Sequence, residues 1–169
     1  MSSIAYRLGF LSILLVLANP AAGRGDGDTA FEKVVHRYET ARLSLINDTT
    51  DGVSDRAQEI VVLLDALVAD FSAQKAGIDA AHSEDVRSLL PLLRKAAVAL
   101  AEASDLTDAR DAFYELSKPL VRWRKVAVVE LPALAYCPMA KRSWLQPKGE
   151  LGNPYYGQSM LTCGETIES

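Results

Sequence analysis

The residues best suited to chemistry lie in two short sulfur motifs near the end of the chain. The first is Tyr136-Cys137-Pro138-Met139; the second is Met160-Leu161-Thr162-Cys163-Gly164, preceded by Asn153-Pro154-Tyr155-Tyr156-Gly157. The chain has two cysteines and three methionines, and the only sulfur outside these motifs is that of Met1. Thiolate and thioether are soft donors that select Cu(I) over harder ions. Cys137 and Met139 flank a proline, an extended or turn geometry in which both side chains can bend to one ion. Met160 and Cys163 are three apart, on one face of a helical turn. Facing each other, the two pairs would form a Cys2Met2 cage suited to Cu(I) or Ag(I). Zinc suits it less, because structural zinc sites use Cys and His.

A second reading of the same cysteines stays open. In an oxidising compartment two cysteines of one exported chain pair by default. A Cys137–Cys163 disulfide would close a loop of about 26 residues and stabilise by roughly 3 kcal/mol on the loop-entropy estimate. The two readings are compatible, since reduction converts a stapled form into one with free thiolates. His36 and His82 are further imidazole donors, but their spacing ties neither to the sulfur motifs. Taken singly, Met139 and Met160 also read as core fillers.

The N-terminus indicates where this chemistry takes place. A short basic n-region ends at Arg7, the apolar run Leu8 to Ala18 follows, and Asn19-Pro20-Ala21-Ala22-Gly23 supplies a break and small residues. This pattern predicts a signal peptide over residues 1–23 and a periplasmic or secreted protein. The apolar run is short against the roughly twenty residues of a membrane span, so membrane association is expected only through the signal peptide. Residues 24–29, Arg-Gly-Asp-Gly-Asp-Thr, read as a flexible linker.

The mature chain suits one domain with a sizeable core. The net charge is −4 and no dense basic block occurs. Nucleic acid is therefore excluded as a partner class, because phosphate binding needs a concentrated positive surface. No enzyme emerges either: the chain has no phosphate-cradling glycine loop, no nucleophile elbow, and too few histidines for an obvious triad.

The sulfur motifs must be positioned by what precedes them, and residues 30–130 carry the apolar periodicity of helices. Phe31, Val34, Val35, Tyr38, Leu45 and Ile46 form one stripe, capped by Asp28 or Thr29. Ala57, Ile60, Val61, Leu64, Leu67, Val68 and Phe71 form a second, with Ser54 as its expected cap and an end near Gly77. A third opens at Ser83 and contains Pro91, which predicts a kink or late start. The fourth begins between Ser104 and Asp108, carries Phe113, Leu116, Leu120 and Trp123, and contains Pro119. Short connections predict an all-α, up-and-down four-helix bundle. In residues 131–169 periodicity disappears while proline, glycine and aromatics accumulate. That region is expected to be an irregular segment packed on the bundle within the same domain.

The C-terminal pattern resembles a known family. Tyr136-Cys-Pro-Met-Ala140, Trp144-Leu145, Asn153-Pro-Tyr-Tyr-Gly157 and Met160-Leu-Thr-Cys-Gly-Glu165 are similar to the signature of the domain of unknown function 3347. That family is associated with efflux of copper and other heavy metals, alone or appended to periplasmic adaptor proteins. The resemblance implies that Cys137, Met139, Met160 and Cys163 occupy the metal positions, and that an efflux adaptor or another metal-handling protein is the partner. It points to metal handling without naming a reaction.

Overall fold

The structure, a computed structural model, describes residues 29–168. The expected signal peptide, residues 1–23, and the 24–29 linker other than Thr29 lie outside the described residues.

Among the described residues there are five helices: α1 Ala30–Ile46, α2 Val53–Ala69, α3 Ala73–Ala76, α4 Ser83–Ala101 and α5 Leu106–Arg124. Thr29 starts α1 with a capping box, its hydroxyl accepting from Glu32 N–H while the Glu32 carboxylate accepts from Thr29 N–H. At α2 the cap differs from expectation. The helix begins after Gly52, which takes a left-handed φ of 72°, while Ser54 lies inside the helix and donates to Ala101 O on α4. Ser72 caps the four-residue α3, which ends at the left-handed Gly77. Helix α4 runs from Ser83 through Pro91 to Ala101, and α5 runs likewise through Pro119. Each proline forfeits one rung of the ladder, while Leu89, Leu90, Leu93, Leu116 and Leu120 on either side are buried and hold the flanking turns in place.

The helices pack as α1 on α2, α2 on α4 and α4 on α5, and α1 touches α5 only lightly. Two rings bridge that seam: Tyr38 of α1 stacks on Phe113 of α5 with centroids 4.3 Å apart. No helix among the described residues is long and apolar enough to cross a membrane.

The fold is mixed rather than all-α. The expectation of an all-α four-helix bundle with an irregular segment over 131–169 is overturned by a three-stranded antiparallel sheet in that segment. Its strands are β1 Ala133–Cys137, β2 Arg142–Gln146 and β3 Glu165–Glu168, in the order β2-β1-β3. The β1–β2 hairpin pairs Ala133 with Gln146 and Cys137 with Arg142. The physical reason lies in burial. Ala133, Leu134, Ala135 and Cys137 are all buried, as are the last three residues of β2, so neither strand alternates between apolar and polar. A strand covered on both sides loses the period-2 signal. Strand β2 packs on α5 and α1, so the sheet closes the seam the helices leave open.

Candidate functional site

Cys137 is the last residue of β1, and Cys163 lies two residues before β3. Antiparallel pairing of β1 with β3 sets Tyr136 opposite Glu165, which brings the two cysteines to the same end of the sheet. Their sulfurs lie 3.0 Å apart and both thiols are free. A disulfide bond is about 2.05 Å long. Two metal–sulfur bonds of about 2.3 Å each span up to about 4.6 Å. The separation therefore needs only a small adjustment in either direction.

Gly164 makes this approach possible. Its φ is +138°, and a Cβ there would stand 2.8 Å from Tyr136 O and 2.9 Å from the Trp144 ring. Only glycine fits beside the β1 backbone at that point. Asn153 holds the other side. It is fully buried, its Nδ2 donates to Cys163 O at 2.8 Å, and its Oδ1 accepts from Tyr155 N–H at 2.8 Å. Its own N–H donates to Leu161 O at 2.7 Å. The Asn153 amide nitrogen and backbone N–H thus tie the Asn-Pro-Tyr-Tyr-Gly turn to the Cys163 loop, while its Oδ1 braces the turn itself.

That turn is in turn clamped to the helices. Arg110 of α5 donates to Pro154 O at 2.9 Å and Leu45 O at 3.1 Å. Arg42 of α1 donates to Gly152 O. Gln158 donates from its backbone to Asp48 and from its side chain to Ile46 O. Gly157, with φ +54°, lies so close to Asp48 and Arg110 that any side chain would displace them. Tyr155 packs edge-on against Phe113, Tyr114 and Trp144, and its hydroxyl donates to Ser143 O at 2.6 Å.

The two thiols are unequal. Cys137 is fully buried, whereas Cys163 is half-buried. Burial alone pushes the Cys137 thiol up, but hydrogen bonds from Cys163, from the Ala140 and Met139 backbone and from Asn153 outweigh it and hold it below the usual thiol value. The Ala140 N–H lies 3.4 Å from its sulfur. The same sulfur–sulfur hydrogen bond raises Cys163, whose proton is shared toward Cys137. Of the two sulfurs, Cys137 is therefore the one whose charged form the surroundings favour, with Cys163 as its donor.

The structure brings together Cys137 and Cys163. Met139 is 62% exposed in the turn that follows β1, and Met160 is half-buried at the end of a 3-10 turn, Gly157–Met160, three residues before Cys163. His36 is exposed on α1, and His82 pairs with Asp85 at 3.0 Å. Among the described residues, no three His, Cys, Asp or Glu side chains gather as a metal-binding group.

Sequence reasoning singled out the sulfurs but not the residues that place them. Asn153, Gly164, Arg110, Asp48 and Arg42 act through the fold, and of these Asn153, in its Asn-Pro pair, carried a local turn signal. Comparison with family models, curated proteins and solved structures finds no match for this chain.

Proposed function

We propose that the chain is an exported soft-metal protein that takes Cu(I) or Ag(I) at Cys137 and Cys163 and buffers it or passes it to a metal-efflux partner. The single observation that carries this reading is the pair of free thiols 3.0 Å apart, one buried and one half-buried. Two adjacent thiolates supply soft charge for a monovalent ion. Hydrogen bonds already favour the charged form of Cys137, which lowers the cost of removing its proton on binding. The motif's resemblance to the domain of unknown function 3347 supports the same reading. Met139 and Met160 lie between the two cysteines in sequence, each close to one of them, as additional donors. When the metal is absent and the surroundings are oxidising, the thiols close as a disulfide.

The test is a competition titration of the fully reduced protein against a Cu(I) chelator, beside the Cys137→Ser/Cys163→Ser variant. Uptake of about one ion by the parent and loss of it in the variant is expected. Equal uptake by both, or by neither, removes the metal reading.

A second reading is favoured by the complete burial of Cys137. On it, the pair is a permanent staple in a mixed helix-and-sheet interaction module that binds no metal. Thiol counts on protein taken directly from its native compartment separate the two: a staple never shows free thiols.

A further inference from the structure

We propose that the Cys137–Cys163 pair is an asymmetric thiol-exchange site, in which an external thiolate attacks Cys163 and Cys137 departs. This rests on the oxidised state of the reading above and names how that state is reopened. The external substrate class is a thiol.

The asymmetry comes from the surroundings of each sulfur. Exchange requires the attacking sulfur to approach one sulfur of the disulfide and expel the other. Cys137 ends a strand buried between β2 and β3 and has no exposed surface. Its sulfur faces the Ala140 N–H at 3.4 Å, so an incoming thiolate has no route to it. Cys163 is half-buried in a loop, between exposed Thr162 and the wholly exposed strand β3. The open approach therefore ends on Cys163. The departing sulfur is the one already provided with a backbone donor, so the charge that forms on Cys137 is met where it forms.

The reaction balances as two displacements. First, the external thiolate forms a bond to Cys163 Sγ, the Cys163–Cys137 bond breaks, and its electron pair leaves on Cys137 as thiolate. A second external thiolate then attacks the external sulfur of the mixed disulfide. That step forms the external disulfide and releases Cys163 as thiolate. Two external thiols are oxidised, the protein disulfide is reduced, and the two protons of those thiols pass to solvent or to the released sulfurs.

Asn153 and Gly164 keep the geometry through the cycle. Asn153 Nδ2 holds Cys163 O at 2.8 Å, and the missing side chain of Gly164 leaves room for the chain to lie close to Tyr136 O. Neither contact involves a sulfur, so both persist when the bond opens. Cys163 then stays beside Cys137, ready to reclose or to share an ion.

The test uses the full chain, oxidised until its mass shows the loss of two hydrogens. It is exposed briefly to glutathione, quenched in acid, alkylated with N-ethylmaleimide and cut with trypsin. Cleavage after Lys125, Lys141 and Lys148 puts Cys137 in the peptide 126–141 and Cys163 in the peptide 149–169. Glutathione on Cys163 with maleimide on Cys137 is expected, in excess of the reverse pattern by about tenfold or more. An even or reversed distribution overturns the proposal, and so does failure to form the intramolecular disulfide. These results are independent of the copper titration. A protein that binds no Cu(I) yet exchanges at Cys163 loses the metal reading and keeps this one, and the opposite pair of results does the reverse.

Discussion

Arg110 and Asp48 form an ion pair 2.5 Å long that ties α5 to the turn after α1, and each partner also holds the site-bearing C-terminal segment, Arg110 at Pro154 O and Asp48 at the Gln158 N–H. The same guanidinium donates to Pro154 O and Leu45 O, so one side chain joins α5, the end of α1 and the Asn-Pro-Tyr-Tyr-Gly turn. Asp48 itself takes a left-handed φ of 57° and accepts the Gln158 N–H. The cysteine pair is thus placed by contacts some distance from any sulfur.

Replacing Arg110 with Ala removes its two carbonyl bonds and should cost about 1–3 kcal/mol. Because the turn is released, Cys137 should also become more reactive toward a bulky thiol reagent. A chemical denaturation curve and the rate of thiol labelling check both. Unchanged labelling would show that the clamp does not shield the pair.

The Arg110 hydrogen bond, followed by that of the Gln158 N–H, holds the Asp48 carboxyl below its ordinary 3.8. A lowered folded value means the contribution is present above the ordinary value and is lost as pH falls through the lower folded one. The gap in melting temperature between the parent and Asp48→Asn should therefore narrow from about pH 6 to about pH 3. A gap independent of pH would sink the assignment.

Tyr38 gives the opposite sign at the alkaline end. Burial first, only partly offset by the Ser117 and Leu145 hydrogen bonds, pushes its hydroxyl well above 10, and burial does the same to Tyr155. Both contributions are complete below the ordinary tyrosine value and are lost as pH rises beyond it. Denaturation midpoints should fall from about pH 8 to about pH 11, with a smaller fall in Tyr38→Phe. That variant also loses the 2.7 Å bond to Ser117 and should be less stable at neutral pH by about 1–3 kcal/mol.

Gly164→Ala places a Cβ 2.8 Å from Tyr136 O at a φ of +138°. A strained backbone of this kind costs about 1–3 kcal/mol. The Cys163 loop must move away, so disulfide formation under a fixed oxidant should slow. A rate equal to that of the parent would show that β3 pairing alone holds the two sulfurs together.

The sulfurs should contribute unequally to copper binding. Cys137→Ser or Cys163→Ser removes a charged soft donor, whereas Met139→Leu or Met160→Leu removes a neutral one. Each cysteine variant should lose at least about tenfold more Cu(I) affinity than either methionine variant, with silver competing well and zinc poorly. A Met139→Leu loss as large as a cysteine loss would place the exposed thioether among the principal donors.

Several features of the fold are legible in one dimension. The spacing of Phe31, Val34, Tyr38 and Leu45 marks a helix face, and these four side chains are fully buried. The acidic Glu84 and Asp85 sit in the first turn of α4, where the dipole favours them. The sheet was not legible. Strand β1 is buried on both sides, and proline and glycine next to the strands read as irregularity. Ser54 was misread as a cap because its hydroxyl serves Ala101 O on α4, a partner far away in sequence.

By itself, the sequence determined which atoms are available for chemistry. Two thiols and two thioethers gathered in the last third, and the donor types alone point to a soft ion or a disulfide. Only the tertiary structure decided which sulfurs meet. Cys137 and Cys163 approach to 3.0 Å because β1 pairs with β3, Gly164 permits close backbone contact, and Asn153 and Arg110 clamp the intervening turn. Local spacing limits what neighbours along the chain can do together. It says nothing about pairings made across 26 residues, where strand register and buried hydrogen bonds do the choosing.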